Sequence, residues 1–147
     1  MLGNHSIQVE GLLRRAGWQQ GRRIDLAPWQ SSPTRPFPAA RDVLTEFGGL
    51  VVGEAGPGID VAKSDVDLRP KAYNLEFDGE PDLEREVGQR LYPIATAYEG
   101  NGEVWIDESG RVYLEGDFPD GRQLQYLGSS FAAALEVLLV GKRRPQQ

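Results

Sequence analysis

Cysteine is missing from this chain and histidine nearly so: of 147 residues none is Cys and one, His5, is His. A disulfide scaffold is therefore excluded, and the lack of thiols suits a reducing compartment. Structural zinc needs several Cys or His ligands, so no metal of that kind is expected, and no cofactor. Cys–His nucleophile pairs are impossible, and a Ser–His–Asp triad would depend on His5 alone. His5 lies near the start of the chain, where a solvated side chain on a frayed end is the expectation. Long apolar runs are also missing. The longest, residues 131–135 and 137–140, fall far short of the about 20 residues that span a bilayer. The first six residues carry neither the basic start nor the apolar block of a signal peptide. The expectation is a soluble, cytoplasmic chain with no membrane partner.

Basic charge is in deficit as well. The net charge is −6, and residues 54–86 hold ten acidic side chains against four basic ones. The remainder is balanced, so the whole excess sits in one central third. Phosphate binding needs a basic face, so nucleic acid is not an expected direct partner. A basic protein is.

What is present reads as one domain with a core over about residues 7–141 and a frayed tail over 142–147. Val9, Leu12, Leu13 and Ala16 form an apolar stripe that predicts a helix over 7–16, capped by Ser6 and ended by Gly17. Trp18 is expected to fold back onto that stripe. Residues 22–26 read as a short extended piece, followed by a proline-rich loop around Trp29. A second helix begins near Pro38 with the stripe Ala40, Val43, Leu44 and Phe47, and Gly48 and Gly49 end it. Residues 50–52 read as a buried strand, 53–58 as a turn-rich loop, and 66–68 and 73–77 as strands. A third helix is predicted over 82–91, with acidic residues in its first turn. Strands over 104–107 and 111–114 flank Glu108-Ser109-Gly110, a hairpin signal with Gly where a positive φ is needed. One more strand covers 123–127. Ser129 or Ser130 caps a last helix over 131–140, ended by Gly141. This is an α+β pattern without regular βαβ alternation.

Equipment for catalysis is sparse. Lys63-Ser64 resembles the end of a phosphate-binding loop, but Pro57 and Ala62 stand where that loop needs glycines. Asp82 and Glu86, one helical turn apart, could hold a divalent cation together with substrate phosphates, although acidic residues on a helix usually form a solvated face. Asp107 could act as an acid, but an acceptor of backbone hydrogen bonds within its turn is the plainer role. Trp105 alternates with Val104 and Ile106 and could anchor a partner, or be covered by a helix.

Four segments in order carry a family resemblance: Ala16-Gly17-Trp18 with Gly21-Arg22; Leu44-Thr45-Glu46-Phe47-Gly48-Gly49-Leu50; Trp105-Ile106-Asp107 with Gly110-Arg111-Val112-Tyr113; and Leu127-Gly128 with Phe131 and Ala134-Leu135. The arrangement is similar to the SUKH superfamily of bacterial immunity proteins, in its third group, which is related to the Smi and Knr regulators. The resemblance implies a Smi/Knr-type fold: a twisted, largely antiparallel or mixed sheet packed with several helices in a single layer. It also implies no enzymatic activity, and a cytoplasmic antidote that binds a cognate toxin domain, commonly a nuclease or nucleic-acid deaminase with a basic channel. The signature residues Trp18, Gly21, Arg22, Glu46, Phe47, Gly48, Gly49, Asp107 and Gly110 are expected to serve the fold, with Arg22 and Glu46 as a partly buried ion pair. Toxin contacts are expected from Asp65, Asp67, Asp78, Glu80, Asp82 and Glu84, with Trp105 as an anchor. A regulatory scaffold of the same superfamily is the alternative, and a carboxylate metal hydrolase a more distant one.

Overall fold

Six strands pair in the order in which they occur, each antiparallel to the next, in the computed structural model of the chain. It describes residues 5–30, 34–70, 80–118 and 121–145. Strands β1 (Val51–Val52) and β2 (Val66–Asp67) are short, whereas β3 (Leu91–Ala97), β4 (Gly102–Asp107), β5 (Val112–Phe118) and β6 (Gly121–Gly128) carry the sheet. Five helices accompany them among the described residues: α1 (Ile7–Arg15), α2 (Ala27–Gln30), α3 (Pro38–Phe47), α4 (Pro81–Val87) and α5 (Phe131–Val140). The α+β expectation holds, and the pairing between described strands is antiparallel throughout.

Strand alternation gives the sheet two unlike faces. On one face Val66 stands opposite Ala97, and Val104 stands between Ala95 and Leu114, all of them buried. Helices α3 and α5 pack against the strands, α3 on β3 and β4, α5 on β5 and β6, and α1 lies against α5. Helix α5 is apolar on nearly all sides, with eight of its ten residues buried, which suits a helix enclosed between the sheet and α1. Its ends are set locally: Ser130 Oγ accepts from the Ala133 N–H at 3.1 Å, and Gly141 closes it in a left-handed conformation. Ser6 caps α1 in the same way at Val9, and its own N–H donates to Glu136 Oε2 at 3.2 Å, tying α1 to α5. Burial pushes the Glu136 carboxyl up, but the Ser6 hydrogen bonds and Lys142 bring it below its ordinary value.

The other face is mixed. Across it run Pro93, Trp105, Tyr113 and Tyr126, and beside them Asp67, Thr96, Glu103, Glu115 and Leu124. Leu83 and Glu86 of α4 share a groove of about 270 Å³ with Glu115 and Leu124, so α4 lies over this side.

Several local expectations change. The predicted third helix stops at Val87, where Gly88 takes a left-handed conformation, and Leu91 instead opens β3. No strand is predicted over 91–97, yet all seven residues are buried there. Pro93 lacks an N–H for the ladder, and the register shifts between Pro93 and Ala95 to accommodate it. The stretch over 22–26 is not a strand, although the Ile24 N–H reaches the Thr45 carbonyl at 2.9 Å. Around Trp29 the chain makes the short helix α2 rather than a loop, started by Asp25 Oδ1 accepting from the Ala27 N–H. Val51 is exposed on β1, so that strand is buried on one side only. His5 is not solvated: its ring meets Trp18 and Phe47 edge-on, with centroids 5.9 and 5.8 Å away, and both ring nitrogens are buried without a hydrogen bond. The strand expected over 73–77 lies outside the described residues.

Candidate functional site

The signature residues form two buried supports. In the first, the Trp18 indole N–H donates to Glu46 Oε2 at 3.0 Å inside the core, and Trp18 stacks on Phe47. Arg22 does not pair with the Glu46 carboxylate. Its two terminal nitrogens donate to the backbone carbonyls of Glu46 at 2.7 Å and of Gly48 at 3.0 Å, satisfying carbonyls that the end of α3 leaves open. Burial lowers the Arg22 pKa from its ordinary value. The two glycines that follow have different reasons. Gly49 has φ +86°, a left-handed value. Gly48 has φ −55°, and its constraint is space: an added Cβ would lie 2.5 Å from the Leu44 carbonyl oxygen and 3.0 Å from both Ile24 and Trp29. Gly21 sits in the Gln19–Arg22 turn with φ +84°.

The second support is Asp107, which is fully buried. Its Oδ1 accepts from the Ser109 N–H at 2.9 Å, the Ser109 hydroxyl at 2.7 Å and the Arg111 N–H at 3.0 Å, while Oδ2 accepts the Tyr113 hydroxyl at 3.0 Å. Gly110 completes the turn with φ +95°. The carboxylate therefore holds the β4–β5 hairpin together, and every named donor belongs to the turn or the strand after it.

That hairpin sets the acidic row. Asp67 pairs with Thr96, Thr96 with Glu103, and Glu103 with Glu115, so four strands place these side chains side by side on one sheet face. Glu103 and Glu115 are like charges directly opposite each other, an arrangement that costs up to about 1 kcal/mol. The Trp105 indole N–H offsets part of this by donating to Glu115 Oε1 at 3.2 Å. Next to Glu115, α4 adds Glu86, and its outer side carries Asp82, which pairs with Arg85. A row of carboxylates at strand spacing is suited to accepting hydrogen bonds from guanidinium or ammonium groups. His5 stands away from it, against Trp18 and Phe47. Among the described residues no group of three or more His, Cys, Asp or Glu gathers as a metal site would require.

The expected contact residues that the structure describes differ in exposure and in what engages them. Asp67 is buried, with its side chain 8% exposed, and is taken up by Arg69: Nε and the backbone N–H donate to Oδ1 at 3.1 and 3.0 Å, Nη2 to Oδ2 at 2.8 Å. Trp105 is 4% exposed and cannot be a protruding anchor. The anchor expectation for Trp105 is corrected by its burial, and Asp67 is already engaged by Arg69. Asp65 is half-buried, and its Oδ1 accepts the Glu99 N–H at 2.8 Å. Glu84 accepts the Leu91 N–H at 2.9 Å and so joins α4 to β3. Glu80 stands at the start of α4 and Asp82 is exposed on its first turn. Asp78 lies outside the described residues. Glu103 and Glu115 were missed by charge counting because they lie beyond residues 54–86. A signal for them existed in the hairpin: a turn centred on residue 109 puts 103 opposite 115.

No helix among the described residues is long and apolar enough to cross a membrane. The family model described as SUKH-3 immunity protein matches residues 5–141. No curated protein and no solved structure matches the chain.

Proposed function

This chain belongs to the SUKH-3 immunity protein family, and from that premise we propose that it is a cytoplasmic, non-catalytic antidote that binds one cognate toxin domain through an acidic surface. The observation that carries the acidic part is the register that sets Glu103 against Glu115 beside the carboxylates of α4. Carboxylates set at strand spacing accept hydrogen bonds from guanidinium and ammonium groups, which supports a basic partner for this surface. The contacts in this reading are the exposed Asp82 and Glu86 and the half-buried Glu80, with Asp78 from the preceding segment. Asp65 and Glu84 hold the backbone beneath. A nuclease or nucleic-acid deaminase suits such a surface, because its substrate channel must be basic to hold phosphates. The acidic surface then both steers the encounter and occupies the channel.

Co-purification with the product of an adjacent gene, followed by rescue of its toxicity, tests the antidote reading. A charge-reversal set, Glu80→Lys, Asp82→Lys and Glu86→Lys, tests the surface. The expected result for the triple variant is an association rate about 10-fold or more lower at low salt, with a flatter salt dependence. Unchanged affinity and unchanged salt dependence would place the contact surface elsewhere.

A further inference from the structure

A groove of about 530 Å³ opens at the opposite end of β3 and β4 from the Asp107 turn, lined by Val61, Ala62, Tyr98, Leu114, Arg143 and Arg144 among others. Its walls are mainly apolar, and its cationic side comes from the residues after α5. Three features set it apart from ordinary surface. First, Val61 is a large apolar side chain left 40% exposed at its rim. Second, Tyr98 and Glu99 both have positive φ, 53° and 57°, where non-glycine residues are strained. That conformation is held by two clamps from the segment before β2: Ser64 Oγ accepts the Tyr98 N–H at 2.6 Å, and Asp65 Oδ1 accepts the Glu99 N–H at 2.8 Å. A tyrosine is thus kept in a place that glycine or asparagine would fill without strain. Third, the residues that carry the cations are tied to the fold. The Arg143 backbone N–H donates to Asp60 Oδ2 at 2.9 Å, and Arg144 Nη2 donates to the Tyr98 hydroxyl at 3.3 Å. Two neighbouring guanidinium groups beside an apolar groove run against the sign of a chain whose net charge is −6.

We infer that this groove docks an extended segment of a protein partner in which a carboxylate side chain stands next to an apolar one. The apolar side chain fills the space between Val61, Leu114 and the Tyr98 ring, and the carboxylate meets Arg143, with the Arg144–Tyr98 pair fixing the wall against which the segment lies. Charge complementarity selects the occupant: a basic segment would face two guanidinium groups, and an uncharged one would leave Arg143 unused. This docking surface does not depend on the antidote reading and would stand without it.

The test is backbone NMR titration of the intact chain with three capped peptides, acetyl-Leu-Asp-Leu-amide and its Asn and Lys counterparts, and with hexanoate. The expected result is shift changes centred on Val61, Tyr98 and Arg143, with the Asp peptide binding at least about 5-fold more tightly than the Asn peptide. Arg143→Gln should remove that preference, and Val61→Ser should weaken the Asp and Asn peptides alike. Arg143 and Val61 are exposed, and the spectrum of each variant verifies its fold. Absence of binding, equal binding of the Asp and Asn peptides, or shifts centred away from the groove overturns the proposal. So does hexanoate binding as tightly as the peptide, which would make the groove a small-carboxylate site.

Discussion

Replacing Asp107 by alanine should unfold this chain far more easily than its position beside a surface turn suggests. The carboxylate accepts four hydrogen bonds and is fully buried. Hydrogen bonds to charged acceptors contribute about 1.5–3 kcal/mol each when the donor has no alternative. Ser109 and Arg111 are exposed, so water can serve part of their need and their bonds count at or below the low end. Tyr113 is buried, so loss of the acceptor for its hydroxyl counts for more. Together these give a loss of about 4 kcal/mol, or about 10 °C in Tm for a chain of this size. Asp107→Asn keeps one acceptor oxygen for the turn and should cost about 1–2 kcal/mol, since charge assistance is lost but geometry is not. Tyr113→Phe alone should cost about 1 kcal/mol, leaving the carboxylate its three turn donors. Urea unfolding of the single variants and of the Ala/Phe double variant gives the coupling energy between Asp107 and Tyr113, expected at about 1 kcal/mol. A loss below about 1 kcal/mol for Asp107→Ala, or a coupling indistinguishable from zero, would refute the argument that this carboxylate holds the hairpin.

Three further outcomes follow from the core. Gly48→Ala should cost about 2–3 kcal/mol by forcing a Cβ against the Leu44 carbonyl, and more than Gly49→Ala, whose penalty is backbone strain alone; urea midpoints rank the two. His5 is held below its ordinary pKa mainly by burial, which Glu46, Glu136 and Glu10 only partly oppose. Its neutral form is the one the fold favours, so its contribution is present above about pH 6.5 and is lost as pH falls through the lower folded value; Tm measured from pH 7.5 to 5 should fall more steeply for the natural chain than for His5→Phe. Thr96 is buried with Oγ1 unpartnered, so Thr96→Val should be neutral or stabilising by up to about 1 kcal/mol in thermal melts.

The helices α1, α3 and α5 were the legible part, because each combined an apolar stripe or run with local punctuation. Ser6, Ser130 and Gly141 mark ends that the structure keeps, and the β4–β5 hairpin follows from Gly110 in the same way. Strand β3 was illegible for a physical reason. It is buried on both faces, so it lacks alternation, and Pro93 reads as punctuation where the structure absorbs it at a register shift. The contact between the segment before β2 and the turn after β3 joins residues 34 apart in sequence. Neither propensity nor spacing carries such a pairing, and with it the groove beside Tyr98 was out of reach. His5 was misread because a terminal position says nothing of the aromatic pair that Trp18 and Phe47 form around it.

Charge density along a chain and charge on a surface are separate quantities here. Residues 54–86 hold the entire net charge, yet much of that acid is engaged within the fold. Asp67 is taken up by Arg69, Asp65 by the strained Glu99 N–H, Glu84 by Leu91, and Asp60 by the Arg143 N–H. Conversely, Glu103 and Glu115 lie outside residues 54–86, and the register sets them side by side. A substitution at Asp65 or Glu84 therefore perturbs a backbone contact before it reports on any partner. Asp82 and Glu86 are exposed, and Asp82 is tied only to Arg85 one turn away, an exposed pair of the kind that contributes little. Reversing their sign changes the field at the surface while leaving the core contacts alone. Binding and stability should separate along this line, with α4 carrying the first and the carboxylates that grip backbone N–H groups carrying the second.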